Sequence, residues 1–249
     1  MDGLDVLPVK PVEVQNLAKM PFHENLPDIN KGAMVLMISP VRTGKSTIIN
    51  NLLLNPNFYR DRFDIVYIIS NTIHNDDTSR FLKEQFKETV WDTYSDDIIQ
   101  NIINYQQTFS KKDMPKIAII LDDFVGTVHK KSMIFFLASR FRHYNIGLLL
   151  FASQVLKGVP PIVRANATNV IMGSPNHNGA ELEKLAEEYG SMFKGKDNFL
   201  RIYNQAAQER YDFLYLKLDH NPPEAYRKFN QLLYRGEANG EKLEDVKFE

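Results

Sequence analysis

Gly44-Lys45-Ser46-Thr47 sets a flexible backbone position, an ammonium and two hydroxyls side by side. Residues of these types in this order suit a phosphate cradle. Backbone N–H groups surround the phosphate oxygens, Lys45 reaches the β/γ-phosphates, and the Ser46 hydroxyl completes the shell of a Mg²⁺ ion. The whole stretch is Ser39-Pro40-Val41-Arg42-Thr43-Gly44-Lys45-Ser46-Thr47. It departs from G-x-x-x-x-G-K-[ST] at its first position, where Ser39 stands for glycine. Arg42, inside the stretch, either contacts phosphate or faces solvent.

Three further groups could complete such a site. Asp122-Asp123 closes the apolar run that begins at Lys116. Asp122 would hold Mg²⁺, and Asp123 would orient and deprotonate an attacking water. Glutamate is commoner in the second role, and the aspartate side chain is shorter. Gln154 ends the next apolar run, where its amide could sense a γ-phosphate or hold the water. Charge building on a transferring phosphoryl group calls for a cation. Arg140, Arg142 and Arg164 are the candidates, Arg142 first, because Arg142-His143-Tyr144 sits at the far end of a helix from the aspartate pair. Each group also has a plainer role. An aspartate pair caps a turn, a strand-end amide bonds a loop, and a single arginine is usually a solvated surface charge.

The elements that must position these groups are legible as apolar runs. Residues 33–38 precede the Lys45 stretch and read as a strand, and the segment after it reads as a helix ending near Pro56. Strand, tight loop, helix places unpaired N–H groups and the positive end of a helix dipole at the phosphate. Residues 63–70, 116–124 and 146–152 are further apolar runs, suited to parallel strands covered on both faces. A shorter strand is expected at 170–173, after a loop containing Pro160-Pro161. Helices are expected at 79–88, 95–108, 130–142 and 179–189. The segments 199–203 and 211–216 read as a hairpin, and 223–234 as a last helix. This alternation predicts an α/β fold, a mostly parallel central sheet with helices on both faces. In such sheets ligands bind beyond the carboxyl ends of the strands. The 39–46 loop, Asp122-Asp123 and Gln154 all fall on that rim.

The chain has 249 residues, 43% hydrophobic and 24% charged, enough for one large domain with a sizeable core. We expect a single domain over 31–235, an extended proline-containing arm at 1–30 and a charged, mobile tail at 236–249. No apolar stretch approaches the ~20 residues of a membrane span. The first residues are acidic and lack the order of a signal peptide, so secretion is not expected. The absence of cysteine excludes disulfides and cysteine-held zinc. A net charge of −1 leaves no global basic footprint, so any nucleic-acid contact must come from local charge or from several subunits together. Lys111-Lys112, Lys130-Lys131 and Arg140/Arg142/His143 are the local clusters.

Taken in order, Ser39–Thr47, Ile119-Ile120-Leu121-Asp122-Asp123-Phe124, Arg142-His143-Tyr144-Asn145-Ile146, Gln154 and Gly158-Val159-Pro160-Pro161-Ile162-Val163-Arg164-Ala165-Asn166 resemble a known family. It is the genome-packaging ATPases of large double-stranded DNA viruses, the poxvirus A32-like branch of the FtsK–HerA superfamily. The resemblance covers about 33–175. It implies a P-loop NTPase fold of the RecA/FtsK–HerA type and an ATP-driven motor. Such a motor forms a homo-oligomeric ring, a pentamer or hexamer, and pumps double-stranded DNA into a preformed capsid. It further implies a capsid or portal-vertex partner and a place in the host cytoplasm, at the virus factory, or on the virion. Carried over by motif, Lys45 and Ser46 bind ATP and Mg²⁺, and Asp122 with Asp123 forms the Walker B pair. Gln154 is the sensor, and Arg142 or Arg164 is a finger acting in trans. Two other functions stay open on the residues themselves: a small-molecule kinase built on the same loop, and a nucleotide-binding scaffold without turnover.

Overall fold

Ala33-Met34-Val35-Leu36-Met37-Ile38 contains no polar side chain, and all six residues are buried in the computed structural model. The structure describes residues 23–73, 77–123, 132–173 and 179–236. In chain order the elements are β1 (Ala33–Ile38), α1 (Lys45–Leu54), β2 (Ile65–Ser70), α2 (Arg80–Phe86), β3 (Val90–Trp91), α3 (Asp96–Gln107), β4 (Ile117–Asp122) and α4 (Met133–Arg140). They continue with β5 (Ile146–Ser153), α5 (Pro161–Asn166), β6 (Asn169–Gly173), α6 (Gly179–Tyr189), α7 (Lys196–Ala206), β7 (Phe213–Lys217), β8 (Glu224–Arg227) and β9 (Gln231–Arg235). The strands form one sheet in the order β3-β2-β4-β5-β1-β6-β7-β8-β9. Pairing is parallel from β3 to β6 and antiparallel from β6 to β9.

The two-residue period of a strand divides β1 between two cores. Met34, Leu36 and Ile38 face a layer that includes Ile102, Leu137, Val163, Leu185 and Phe199. Ala33, Val35 and Met37 face the other layer, with Ile49, Leu52 and Leu53 of α1. A strand with apolar cover on both faces must be apolar throughout, which is why β1, β4 and β5 read as continuous runs. Serine caps fix two helix starts, those of α3 and α4. The Ser95 hydroxyl accepts from the Ile98 N–H at 3.3 Å ahead of α3, as an N-cap serine does.

The parallel strands and most helices lie where the sequence predicts them, and the fold class stands as read. The C-terminal third differs. Residues 199–203 are not a strand of a hairpin but the middle of α7. Phe199, Ile202, Tyr203 and Ala206 form its buried stripe, and that spacing is helical once Ala206 is counted. Residues 223–234 are not a helix but the hairpin β8–β9, with Lys228 at φ 55 in its turn. Their composition suits a helix, yet Ala225 and Tyr226 are buried on pairing with β7; tertiary context overrides propensity. The Pro160-Pro161 loop contains α5, with Pro161 in the first turn, where its missing N–H costs nothing. The short edge strand β3 carried no sequence signal. Helix α4 stops at Arg140, and Arg142 falls in a 3₁₀ turn, Phe141–Tyr144. Of the expected arm, residues 1–22 lie outside the described residues, whereas Leu26 and Ile29 are buried in the core. The expected tail beyond 236 lies outside them too, as do Phe124 and Lys130-Lys131.

Candidate nucleotide-binding site

The loop at 39–44 leaves β1 without a glycine at its first position. Ser39 extends the β1–β5 pairing by one step, its N–H donating to the Ser153 carbonyl at 3.0 Å. Its side chain is buried and hydrogen-bonds the Thr43 hydroxyl, and Thr43 Oγ1 donates to the Pro40 carbonyl at 2.6 Å. The space for Ser39 comes from β6, because a Cβ on Gly173 would stand 1.8 Å from Ser39 Oγ. Left-handed backbone occurs later in the loop, at Arg42 (φ 62) and Gly44 (φ 99), and Ser39 is not among the positive-φ residues. A side chain at position 39 therefore needs no left-handed backbone there, only room beside it. Pro40 contributes its carbonyl rather than a turn.

Helix α1 starts directly at Lys45, and its first intrahelical bond joins Ile48 N–H to the Gly44 carbonyl at 3.0 Å. The N–H groups before it, in the first turn, have no carbonyl within the helix to bond. Lys45 Nζ donates to the carbonyls of Ser39 (2.8 Å) and Pro40 (3.1 Å), so its ammonium lies over the loop rather than in bulk solvent.

Two strands over, Asp122 ends β4, with its Cα paired to Ala152 on one side and Ser70 on the other. It is 7% exposed, and its Oδ2 accepts from the Ser70 hydroxyl at 3.0 Å. Asp123 leaves the strand at φ 50, with its N–H on the Ala152 carbonyl at 3.1 Å and its carbonyl accepting from Asn71 Nδ2 at 3.1 Å. Asp123 Oδ1 is buried and has no hydrogen-bond partner. A buried carboxylate oxygen left so is costly unless a proton, water or cation meets it.

Lys45, Ser46, Asp122 and Asp123 line one pocket of about 740 Å³, together with Val41, Arg42, Gly44 and Thr47. The donor set fits Mg²⁺. It offers hard oxygens from one hydroxyl and two carboxylates, and no group of three or more acidic or histidine side chains among the described residues is arranged to hold a metal ion. Mg²⁺ is usually held in that way, by one or two carboxylates with the rest of its shell left to phosphates and water.

Other expected residues fall elsewhere. Gln154 follows the last residue of β5, beside the start of the loop, with an exposed side chain that does not line the pocket. Arg142 lies at the opposite end of the sheet. Its Nε donates to the carbonyl of Gly32, just before β1, at 3.3 Å. The six residues of β1 separate it from the loop by about 20 Å. Arg164, on α5, is held by Glu188 at 2.6 Å. Neither arginine lines the pocket of its own chain.

A further part of the pocket lining carries no motif in the sequence. Arg210 and Tyr211, just before β7, and Lys228, in the β8–β9 turn, also line it. Asp212, next in sequence and 1% exposed, is paired with Arg227 Nη2 at 2.6 Å and Lys228 Nζ at 3.1 Å. Burial alone would raise the Asp212 carboxyl, but hydrogen bonds from Lys228 and Arg227 hold it below its ordinary value. No motif marks Glu209-Arg210-Tyr211-Asp212. A cation beside an aromatic at a strand start was the one available signal.

Sheet order, loop and strand-end carboxylates define the mixed α/β fold of the P-loop NTPases. Among solved structures it is the fold of a viral genome-packaging NTPase. The chain is similar to the genome packaging NTPase B204 of Sulfolobus turreted icosahedral virus 2 in complex with AMP, with a TM-score of 0.55 and 19% identity over 80% of this chain and 97% of that one. The same protein in complex with ATP-γS gives 0.54 and 15% identity over 83% and 98%. B204, the DNA-packaging ATPase from Sulfolobus turreted icosahedral virus, gives 0.54 and 19% over 77% and 95%. No family model and no curated protein sequence matches the chain. Among the described residues no helix is long and apolar enough to cross a membrane.

Proposed function

We propose that this chain is an ATP-hydrolysing motor that translocates double-stranded DNA during packaging of a viral genome. The observation that carries the reading is the meeting of Lys45, Ser46, Asp122 and Asp123 around one pocket at the carboxyl ends of parallel strands. The likeness in fold to packaging NTPases, one bound to ATP-γS, supports the same choice.

In this reading the triphosphate lies along the loop and the first turn of α1, with Lys45 moving from its loop carbonyls to the β/γ-phosphates. Ser46 and Asp122 hold Mg²⁺, which when bound neutralises charge on the phosphate oxygens. Asp123, whose buried oxygen has no partner, accepts a proton from water as that water's oxygen bonds to the γ-phosphorus and the bond to ADP breaks. Gln154 acts as a sensor from the adjoining strand end. Arg142 is about 20 Å from its own loop, and it is exposed, so as the transition-state cation it serves a neighbouring subunit. Arg164 is the alternative finger. The assembly is a ring of five or six copies around DNA, docked on a capsid or portal vertex in the host cytoplasm or on the virion.

ATP turnover per subunit, measured across protein concentration with and without double-stranded DNA, tests this. It should rise with both. Mixing Arg142→Ala with Asp123→Asn subunits should restore turnover that neither has alone. Turnover that stays flat across dilution and DNA addition would exclude the motor.

A further inference from the structure

The part of the pocket lining that comes from the antiparallel strands has features that phosphate binding does not require. Tyr211 is 52% exposed, and its backbone lies at φ 71. Bulky residues rarely adopt that conformation, and it persists only where the surroundings force it. Here they do. The Asp212 N–H donates to the Glu209 carbonyl at 3.1 Å, and the Asp212 carboxylate accepts from the Glu209 N–H at 3.0 Å. The same carboxylate is gripped by Arg227 and Lys228 from the β8–β9 hairpin. A buried, doubly paired anion thus holds a tyrosine at the surface in a conformation it would not choose.

The ring is held beside the loop. Tyr211 Cδ1 stands 3.4 Å from where a Cβ on Gly44 would be. The Arg210 guanidinium lies 4.8 Å from the ring centroid, in cation–π contact. An aromatic backed by a guanidinium, next to the first turn of α1 and inside the same pocket, is a flat platform at one end of a phosphate cradle.

We propose that Tyr211, backed by Arg210 and locked by Asp212, stacks the nucleobase of the bound nucleotide. Lys228 then places a second positive charge on that rim. The proposal rests on the nucleotide-site reading above and extends it to the base, an uncharged part of the ligand that the loop does not contact. It also gives the antiparallel extension a role. The hairpin β8–β9 reaches the pocket through Lys228, and its Arg227 and Lys228 hold the buried Asp212 next to Tyr211, so base binding and the packing of that hairpin are coupled.

The test compares ATP with inorganic tripolyphosphate, which has the phosphates and no base. Calorimetric titration of the full chain in Mg²⁺ would use the parent, Tyr211→Ala, Tyr211→Phe and Lys45→Ala. Base–aromatic stacking gives an expected loss of roughly 5- to 150-fold in ATP affinity for Tyr211→Ala. Tripolyphosphate affinity should change by less than about twofold, and Tyr211→Phe should bind ATP like the parent. Should Tyr211→Ala fold poorly, Tyr211→Gly removes the ring while accepting φ 71 without strain. ATP affinity unchanged in Tyr211→Ala, or equal losses for ATP and tripolyphosphate, would overturn the proposal. If neither ligand binds the parent, or Lys45→Ala binds both as the parent does, the nucleotide-site reading itself falls. That pattern is distinct from a failure at Tyr211 alone.

Discussion

The two halves of this sheet are built on different rules. From β3 to β6 every pairing is parallel and the strand cores are apolar on both faces. From β7 to β9 the pairing is antiparallel, and β9 at the sheet edge has no buried residue. The parallel half brings the loop, the strand-end aspartates and the helix dipole to one rim. The antiparallel half brings Arg210, Tyr211 and Lys228 to the same pocket from the other side. In the proposed reading one half holds phosphate and charge, and the other receives a flat, partly apolar group. A site assembled in this way can alter its specificity on the second wall without touching the loop chemistry.

The largest effect expected belongs to the parallel half. If Asp123 is the proton acceptor proposed above, Asp123→Asn should lower ATP turnover by at least about 100-fold while leaving ATP affinity within a few-fold of the parent. Steady-state kinetics with a parallel binding titration would check it. Equal loss of binding and turnover would move Asp123 from chemistry to architecture.

Next in size is the contact that lets Ser39 replace glycine. A Cβ at Gly173 collides with Ser39 Oγ, so Gly173→Ala should cost about 2 kcal/mol in urea unfolding. Ser39→Gly in the same chain should recover most of that loss. If the double variant is no more stable than Gly173→Ala, the two residues do not share the space as described.

The same two positions show what was legible in the sequence. Lys45, Ser46 and Asp122-Asp123 could be read because buried parallel strands are continuous apolar runs, and the residues that end them stand out. Ser39 looked like a defect because its compensation lies 134 positions away, at Gly173 on the neighbouring strand, and no local pattern encodes that contact. The windows 199–203 and 211–216 read as one hairpin because they are short runs flanking a polar connection of six to seven residues. Only the longer stripe to Ala206 shows α7 to be a helix. The segment from Glu224 to Tyr234 is composed like a helix, and its pairing partner β7 decides otherwise. Arg142 leads the sequence candidates because it sits at the far end of a helix from the aspartate pair, whereas its distance from its own loop is a property of the sheet alone.

A smaller effect should appear in the antiparallel half. Asp212→Asn loses the charged partner of Arg227 and Lys228, both partly exposed, so the expected cost is about 1–2 kcal/mol. ATP affinity should fall with it, and tripolyphosphate affinity should not. A variant as stable as the parent would mean the rim needs no anchor.

The least effect is that of acid. The Asp212 carboxyl is held below its ordinary value of 3.8 by its cationic partners. Its contribution is therefore fully present above that value and lost as pH falls through the lower folded-state value. The stability gap between parent and Asp212→Asn should be constant near neutral pH and shrink below about pH 4. A gap that widens on acidification would reverse the sign of the assigned interaction.

The claim that joins the two halves is that a single nucleotide touches both walls of the pocket. Photolabelling with an ATP analogue carrying an azide on its adenine ring, followed by peptide mapping, tests it directly. The account predicts label within 209–228, centred on Tyr211, competed away by ATP and lost in Lys45→Ala. Label confined to residues before 174, with the 209–228 peptide unmodified, would contradict it.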